Sequence, residues 1–411
     1  MFSEKFRVPT NPMIAGIVLV TNAFVWYYFI IDFLQSAAKT LPLDNSTTIL
    51  IWSVHFLGIT TSVILGATLV NRVRERTRFL TIWMILGVAS SIVSIFIDKT
   101  FLPNILILSL VFGLSLGIGM PSCMGYFAEK IQIEKRGRVA GIIMLLSAVG
   151  LVALGMVTGE STFLQTLMLL SWRVFGLVFF LLLILGEKAA GKNESIKKSR
   201  DLSYRSLLSQ RSFILYLIPW IMFSLITYLT IPIQTDLMGQ EAVDFLMMIE
   251  NLLVAVFAIV GGFLADIVGR KRVAIFGFAM LGISYSVLGI FPKELFSRFF
   301  YTVADGVAWG MLYVVFVLTI WGDLSNSAAS DKHYALGVLP FFISKFLQVI
   351  IGNGITSVIP GYAIFSFTAF FLFLAVLPLV YAPETLPEKT MKDRELTIYL
   401  AQAQKLKEKQ S

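Results

Sequence analysis

The chain has 411 residues, 57% of them hydrophobic and only 14% charged, with a formal net charge of +8. So few charges cannot cover the surface of a soluble protein of this size, so a globular aqueous fold is excluded and the bilayer is the natural solvent. The single cysteine, Cys123, excludes an intramolecular disulfide framework and reads as a small buried apolar residue.

Apolar stretches long enough to cross a hydrocarbon core of roughly 30 Å recur along the whole sequence. Twelve are predicted, at residues 12–38, 47–70, 79–97, 104–129, 139–159, 167–186, 213–235, 243–265, 273–292, 297–322, 336–357 and 361–382. They are continuous apolar runs, not ten-residue alternations, so they are helices that satisfy their own backbone in lipid. The first follows Lys5 and Arg7 as a signal peptide would, but it is too long for an h-region and no small-residue cleavage site follows, so it is expected to stay as an anchor. The expected fold class is an all-α membrane protein of twelve transmembrane helices in two pseudo-symmetric six-helix bundles. Residues 1–186 form the first bundle, 187–212 a polar linker, 213–382 the second bundle and 383–411 a tail. Within the linker, Tyr204 to Leu208 is expected to form a small interfacial helix.

The placement of the basic residues decides what the positive charge is for. With the N-terminus inside, 27 of the 33 Lys and Arg residues fall on cytoplasmic segments, which is the positive-inside pattern and puts both termini in the cytoplasm. The basic residues are split among short loops with no aromatic platform, so nucleic acid is not an expected partner. The expected partners are the bilayer and a small-molecule substrate, with protons compatible; a monomer suffices, and a cell membrane is the expected location.

Between the eighth and ninth segments runs GGFLADIVGRKRV, Gly261 to Val273, and a weaker copy, ATLVNRVRERTRF, lies at Ala67 to Phe79, with Asn71 195 residues before Asp266. In the stronger copy Gly262 allows close helix approach, Gly269 a tight turn, and Asp266 is expected to face the positive N-terminus of the next helix. Arg270 and Lys271 keep the turn cytoplasmic. In the weaker copy Asn71 stands in place of the acid and Arg74 in place of the glycine.

These residues resemble the loop pattern Gly-x-x-x-Asp-Arg/Lys-x-Gly-Arg-Arg/Lys of the major facilitator superfamily of secondary transporters, with a departure at Ile267. Two more segments are similar to that family: EKRGRVAGI, Glu134 to Ile142, at the entry to the fifth helix, and YAPETLPEK, Tyr381 to Lys389, at the exit from the twelfth. The resemblance implies that the hairpin acid is a gate latch, so Asp266 is expected to contact Arg136 or Arg138 when the cytoplasmic side is closed, with the first-half hairpin latching more weakly for want of its acid. It also implies a central cavity lined by helices 1, 4, 7 and 10.

Charges inside spans are costly and mark function by default. Asp32, His55, Arg173, Glu250, Asp305 and Lys345 are the candidates. Tyr28, Asp32 and Gln35 share one face of the first helix with Thr21, and Tyr301, Asp305 and Trp309 one face of the tenth. Trp26, Trp220 and Tyr228 add rings that could meet a substrate or simply pack. Asp32 or Asp305 could bind a proton or a cation, and Asp305 could equally pair with Lys345 or Arg298. His55 reads as a bonded packing residue, Arg173 as an anchor for the external end of the sixth helix, and His333 as a loop residue. Ser109, Gly113 and Gly117 form a small-residue stripe on the fourth segment, and Pro219 and Pro232 mark bends in the seventh.

No phosphate-cradling loop, zinc spacing or catalytic triad is present in the sequence, so no cofactor, no metal and no enzymatic reaction is expected. The reading is solute transport by alternating access. An exporter of amphipathic compounds is disfavoured because the fourth segment lacks the Arg, and the fifth the Gly-Pro pair, of the family's drug:proton antiporters. A transporter-like receptor that never completes a cycle is the remaining alternative.

Overall fold

The computed structural model describes residues 11–41, 44–73, 75–159, 161–189, 202–325, 330–358 and 361–387. Among these, twelve helices or helical runs are long and apolar enough to span a membrane. The first set comprises α1 (Asn11–Ala38), α2 (Asn45–Leu69), α3 (Arg76–Phe96), α4 (Leu102–Lys130), α5 (Arg136–Thr158) and α6 (Thr162–Ala189). A short helix α7 (Tyr204–Leu208) follows, at the place expected for a small interfacial helix. The second set is α8 (Arg211–Met238), α9 (Gln240–Val268), α10 (Arg270–Ile290), a run from α11 (Leu295–Tyr313) into α12 (Ile320–Leu324), α13 (Ser330–Val358) and α14 (Gly361–Tyr381). The α11–α12 run contains a π-helical stretch, Val314–Thr319, where one extra residue per turn bulges the helix.

Each set packs chiefly on itself: α1 on α4 and α6, α2 on α4, and α3 on α4 and α6 in the first, and α8 on α13 and α14, α9 on α11, and α10 on α11 and α14 in the second. The sets meet where α5 lies along α9 and where α13 lies along α2 and α4. Small residues allow the tightest of these contacts. A Cβ on Gly113 would stand 2.5 Å from the His55 carbonyl oxygen, and one on Gly117 2.6 Å from that of Ile59, so the expected small-residue stripe is what seats α4 on α2.

Large apolar side chains cover the outside, among them Leu57, Phe96, Phe175, Leu182, Phe276 and Phe367. In water this surface would be a severe liability, and against acyl chains it costs nothing. The protein is therefore an integral, multi-pass membrane protein. Its Arg- and Lys-rich turns share one end with α7, called the basic end below, and the turns after α1, α3, α5, α8 and α10 lie at the far end.

Candidate functional site

At the basic end the two sets are joined by buried polar groups. Asp266, fully buried near the end of α9, accepts the Gly137 N–H at 2.8 Å, the Arg138 N–H at 3.0 Å and Arg138 Nε at 2.9 Å. Arg270 Nη2 lies 3.1 Å from the same carboxylate. The carboxylate thus sits on the N-terminus of α5, where amide groups without helical partners and the helix dipole favour an anion. Glycine makes the approach possible: a Cβ on Gly137 would lie 2.5 Å from the Gly262 carbonyl oxygen, and a Cβ on Gly262 would collide with the Gly137 carbonyl.

This geometry corrects one expectation. Asp266 does not serve the N-terminus of the next helix. That end, at α10, is capped by Glu384, which accepts the Arg270 N–H at 2.9 Å and the Lys271 N–H at 3.2 Å. Gly269 turns the chain there at φ +106°, and any side chain on it would strike the Glu384 carboxylate. Of the two arginines expected against Asp266, Arg138 is the partner. Arg136 instead donates from Nη1 to Asp323 Oδ1 at 2.7 Å, and Arg270 Nε reaches Asp323 Oδ2 at 3.0 Å. Asp323, in α12, had no sequence signal of its own.

The other junction was expected to be weak. The side chain of Asn71 and the whole of Arg74 lie outside the described residues. The cross-set bond is made elsewhere: Arg76, opening α3, reaches Asp331 in the first turn of α13 at 2.5 Å and Glu129 at the end of α4 at 2.8 Å. Among the described residues, every ion pair between the two sets lies at the basic end, which is closed.

Deeper in the molecule an aromatic layer bridges the sets. Tyr27 of α1 meets Phe342 of α13 edge-on at 5.6 Å, and Tyr28 packs on Tyr27 at 5.0 Å. Tyr228 of α8 packs on Phe341 at 5.4 Å, and Tyr313 packs on Trp309 at 4.5 Å. Lys345, one turn beyond Phe341, holds its ammonium 5.1 Å from the Tyr228 ring centre and donates to Gln348 Oε1 at 2.8 Å. Asp32 and Gln35, one and two turns beyond Tyr28 on α1, are exposed. Of these, Tyr27, Tyr313, Phe341 and Phe342 escaped sequence reasoning because rings in an apolar run carry no polarity contrast.

Comparison with solved structures agrees with this arrangement. The proton:xylose symporter XylE bound to 6-bromo-6-deoxy-D-glucose, a major facilitator superfamily protein, superposes with a TM-score of 0.69 at 16% identity, covering 91% of this chain and 96% of its own. The chain has the major facilitator superfamily fold. A double Trp mutant of XylE gives 0.68 at 16% identity over 94% of this chain and 97% of its own, and the human organic anion transporter MFSD10 gives 0.63 at 14% over 90% and 98%. No family profile and no curated protein sequence matches the chain.

Within the major facilitator fold, the remaining candidates separate by what they touch. Asp305, buried on α11, is not paired with Lys345 or Arg298: its carboxyl contacts Glu250 of α9, because that face of α11 turns toward α9 and away from α13. Arg298 Nε instead faces the Pro292 carbonyl at 3.4 Å. Tyr301 accepts from Gln234 Nε2 at 2.9 Å and shares a 3.0 Å hydroxyl contact with Tyr285. Trp220 is committed to packing, donating to the Gly337 carbonyl at 2.7 Å and stacking on Phe316 at 5.1 Å.

Arg173 is no external anchor. It lies fully buried midway along α6, its guanidinium 4.4 Å from the Trp26 ring and 4.3 Å from the Trp83 ring, with Nη1 donating to Asn22 Oδ1 at 2.9 Å. A side chain at Gly87 would fill its slot. Two indole faces and an amide thus stand where an acid was lacking, which explains how a charge survives there. His55 is the bonded packing residue expected, its Nδ1 3.0 Å from the Ser109 carbonyl between Trp52 and Phe56. His333 lies in the first turn of α13, not in a loop, buried against Phe213.

Proposed function

We propose that this protein is a secondary transporter, not an enzyme, which carries a small polar solute by alternating access. The observation that carries the reading is the pairing of a closed polar junction at one end with a Tyr-rich, charge-bearing layer between the sets. Side chains that break and remake bonds at such a junction let the sets, residues 1–186 and 213–382, rock about that layer. Residues 187–212 then serve as the tether between them. The basic end faces the cytoplasm of a cell membrane on the positive-inside pattern, so the state seen here is closed to the cytoplasm.

Tyr28, Tyr228 and Tyr313 supply hydroxyls and ring faces for a polar solute, and Asp32 and Gln35 stand at its approach from the far end. The sugar bound to XylE in its solved structure is one such solute. A second reading, an organic anion as for the organic anion transporter MFSD10, is favoured by Lys345, whose ammonium has no acidic partner among the described residues. Both are tested by uptake and counterflow of labelled sugars, polyols and organic anions in proteoliposomes. Saturable flux that falls in Tyr28→Phe supports transport, and loss of only the anion flux in Lys345→Gln supports the second reading. Saturable binding with no flux of any kind would mark a receptor and overturn the proposal.

A further inference from the structure

Chemistry alone demands something of the contact between Glu250 and Asp305. An ionised carboxylate only accepts hydrogen bonds, so two carboxyls in hydrogen-bonding contact need a proton between them. Two bare anions side by side would also repel strongly in a setting with little water to screen them. The Asp305 side chain is buried, Glu250 is half-buried, and Oδ1 of Asp305 has no hydrogen-bond partner among the described groups.

No cation is at hand to replace the proton. Lys345 is bonded to Gln348 and Arg298 faces the Pro292 carbonyl. The described groups that face the pair are neutral: Tyr301 on α11 itself, Tyr285 from α10, and Thr230 and Gln234 from α8, joined in a chain in which Tyr285 and Thr230 hydroxyls lie 2.9 Å apart. Beside the pair, Glu250, Tyr301 and Gln234 line a narrow cavity of about 10 Å³ that also touches Met238 and Val243, either side of the far-end turn at Gly239. That is about the room one water needs, and it lies on the side of the pair toward the far end.

We infer that Glu250 and Asp305 form a proton-binding site that holds one shared proton, reached from the far end and linked through Tyr301 to α8. The site deepens the transport reading, on which its role as the coupling site rests: losing the proton leaves two facing anions on α9 and α11, and the hydroxyl chain passes that change to α8, the helix that carries Pro219 and Pro232.

Infrared difference spectroscopy of the purified protein, stepped from acidic to alkaline pH, tests the site without any flux. The expected result is one protonated-carboxyl band that disappears on deprotonation and is missing from Glu250→Gln and from Asp305→Asn alike, while Asp32→Asn keeps it. Loss of the same band in both single variants is the signature of one proton shared by two groups. Absence of any such band in the wild-type protein would overturn the inference, even if a variant failed to fold. So would its survival in either variant, or its replacement by a response to sodium at fixed pH. A protein that binds this proton but moves no solute would contradict the transport proposal and leave the proton site standing.

Discussion

The two places where the helix sets meet at the basic end use related positions: a base opens the third helix of each set, Arg76 or Arg270, an acid ends the fourth, Glu129 or Asp323, and only the group opening the fifth changes sign, Arg136 against Asp331. On one side an acid, Asp323, gathers a base from its own set, Arg270, and a base from the other, Arg136. On the other side a base, Arg76, gathers an acid from its own set, Glu129, and one from the other, Asp331. The first junction adds Asp266 on the N-terminus of α5 and a backbone contact between Gly137 and Gly262, and its Asp266, Arg270 and Asp323 side chains are fully buried, whereas Arg76 and Glu129 remain in part accessible. A duplicated scaffold can thus keep its latch geometry while reversing the sign of one member. The energetic weight then falls on the side with the deeper burial, since a buried pair that loses one member leaves an uncompensated charge.

The largest expected effect is at Asp266. Asp266→Ala takes the carboxylate from Arg138 and from the α5 N-terminus and leaves Arg270 with Asp323 alone, and should cost the closed form roughly 3 kcal/mol, enough to open the basic end in most molecules, read by thiol labelling at that end. Next comes Gly262→Ala, whose added methyl meets the Gly137 carbonyl. Overpacking of about 1–3 kcal/mol should push α5 from α9 and shift the same labelling in the same direction, with the Asp266 charge intact.

Arg76→Ala should do less, about 1–2 kcal/mol: it leaves Asp331 buried without its base, but Arg76 and Glu129 are partly accessible, so water can take the place of the lost guanidinium. The exchange Arg76→Asp with Asp331→Arg should recover part of the loss if the bond is a latch, and none if Arg76 acts only through Glu129. The smallest effect belongs to Asp44, far from both junctions, which caps α2 by accepting the Thr47 N–H at 2.8 Å. The Thr47 side chain first, and then this backbone bond, hold its carboxyl below the usual carboxylate range. The stability it adds is therefore present above the unfolded-state value and is lost as pH falls through the folded one. Asp44→Ala should slightly lower thermal stability near neutral pH and leave the labelling unchanged.

Much of this was legible in the sequence, for physical reasons that can be named. Spans follow from hydropathy because lipid admits only self-satisfied backbone, and the hairpin at Gly262, Asp266 and Gly269 is a local motif whose parts act within a few residues of one another. Apart from Asp266 with Arg138, which the family resemblance implied, pairings across helices were not legible. Asp305 was set against Lys345 or Arg298, and Arg173 against the boundary, because the rotation of each helix is fixed by packing and not by hydropathy. The charge-swapped junction was hidden by the same limit, since Arg76 and Asp331 look like ordinary loop charges until α3 and α13 are brought together.

The most direct test is the distance between labels on the basic ends of α5 and α9, measured by double electron–electron resonance in the unmodified protein and in Asp266→Asn. A short distance that moves largely to a longer one in the variant, while Arg76→Ala moves it less, is the predicted result. A distance distribution that Asp266→Asn leaves unchanged, or that Arg76→Ala disturbs more, would contradict a closed gate resting on Asp266.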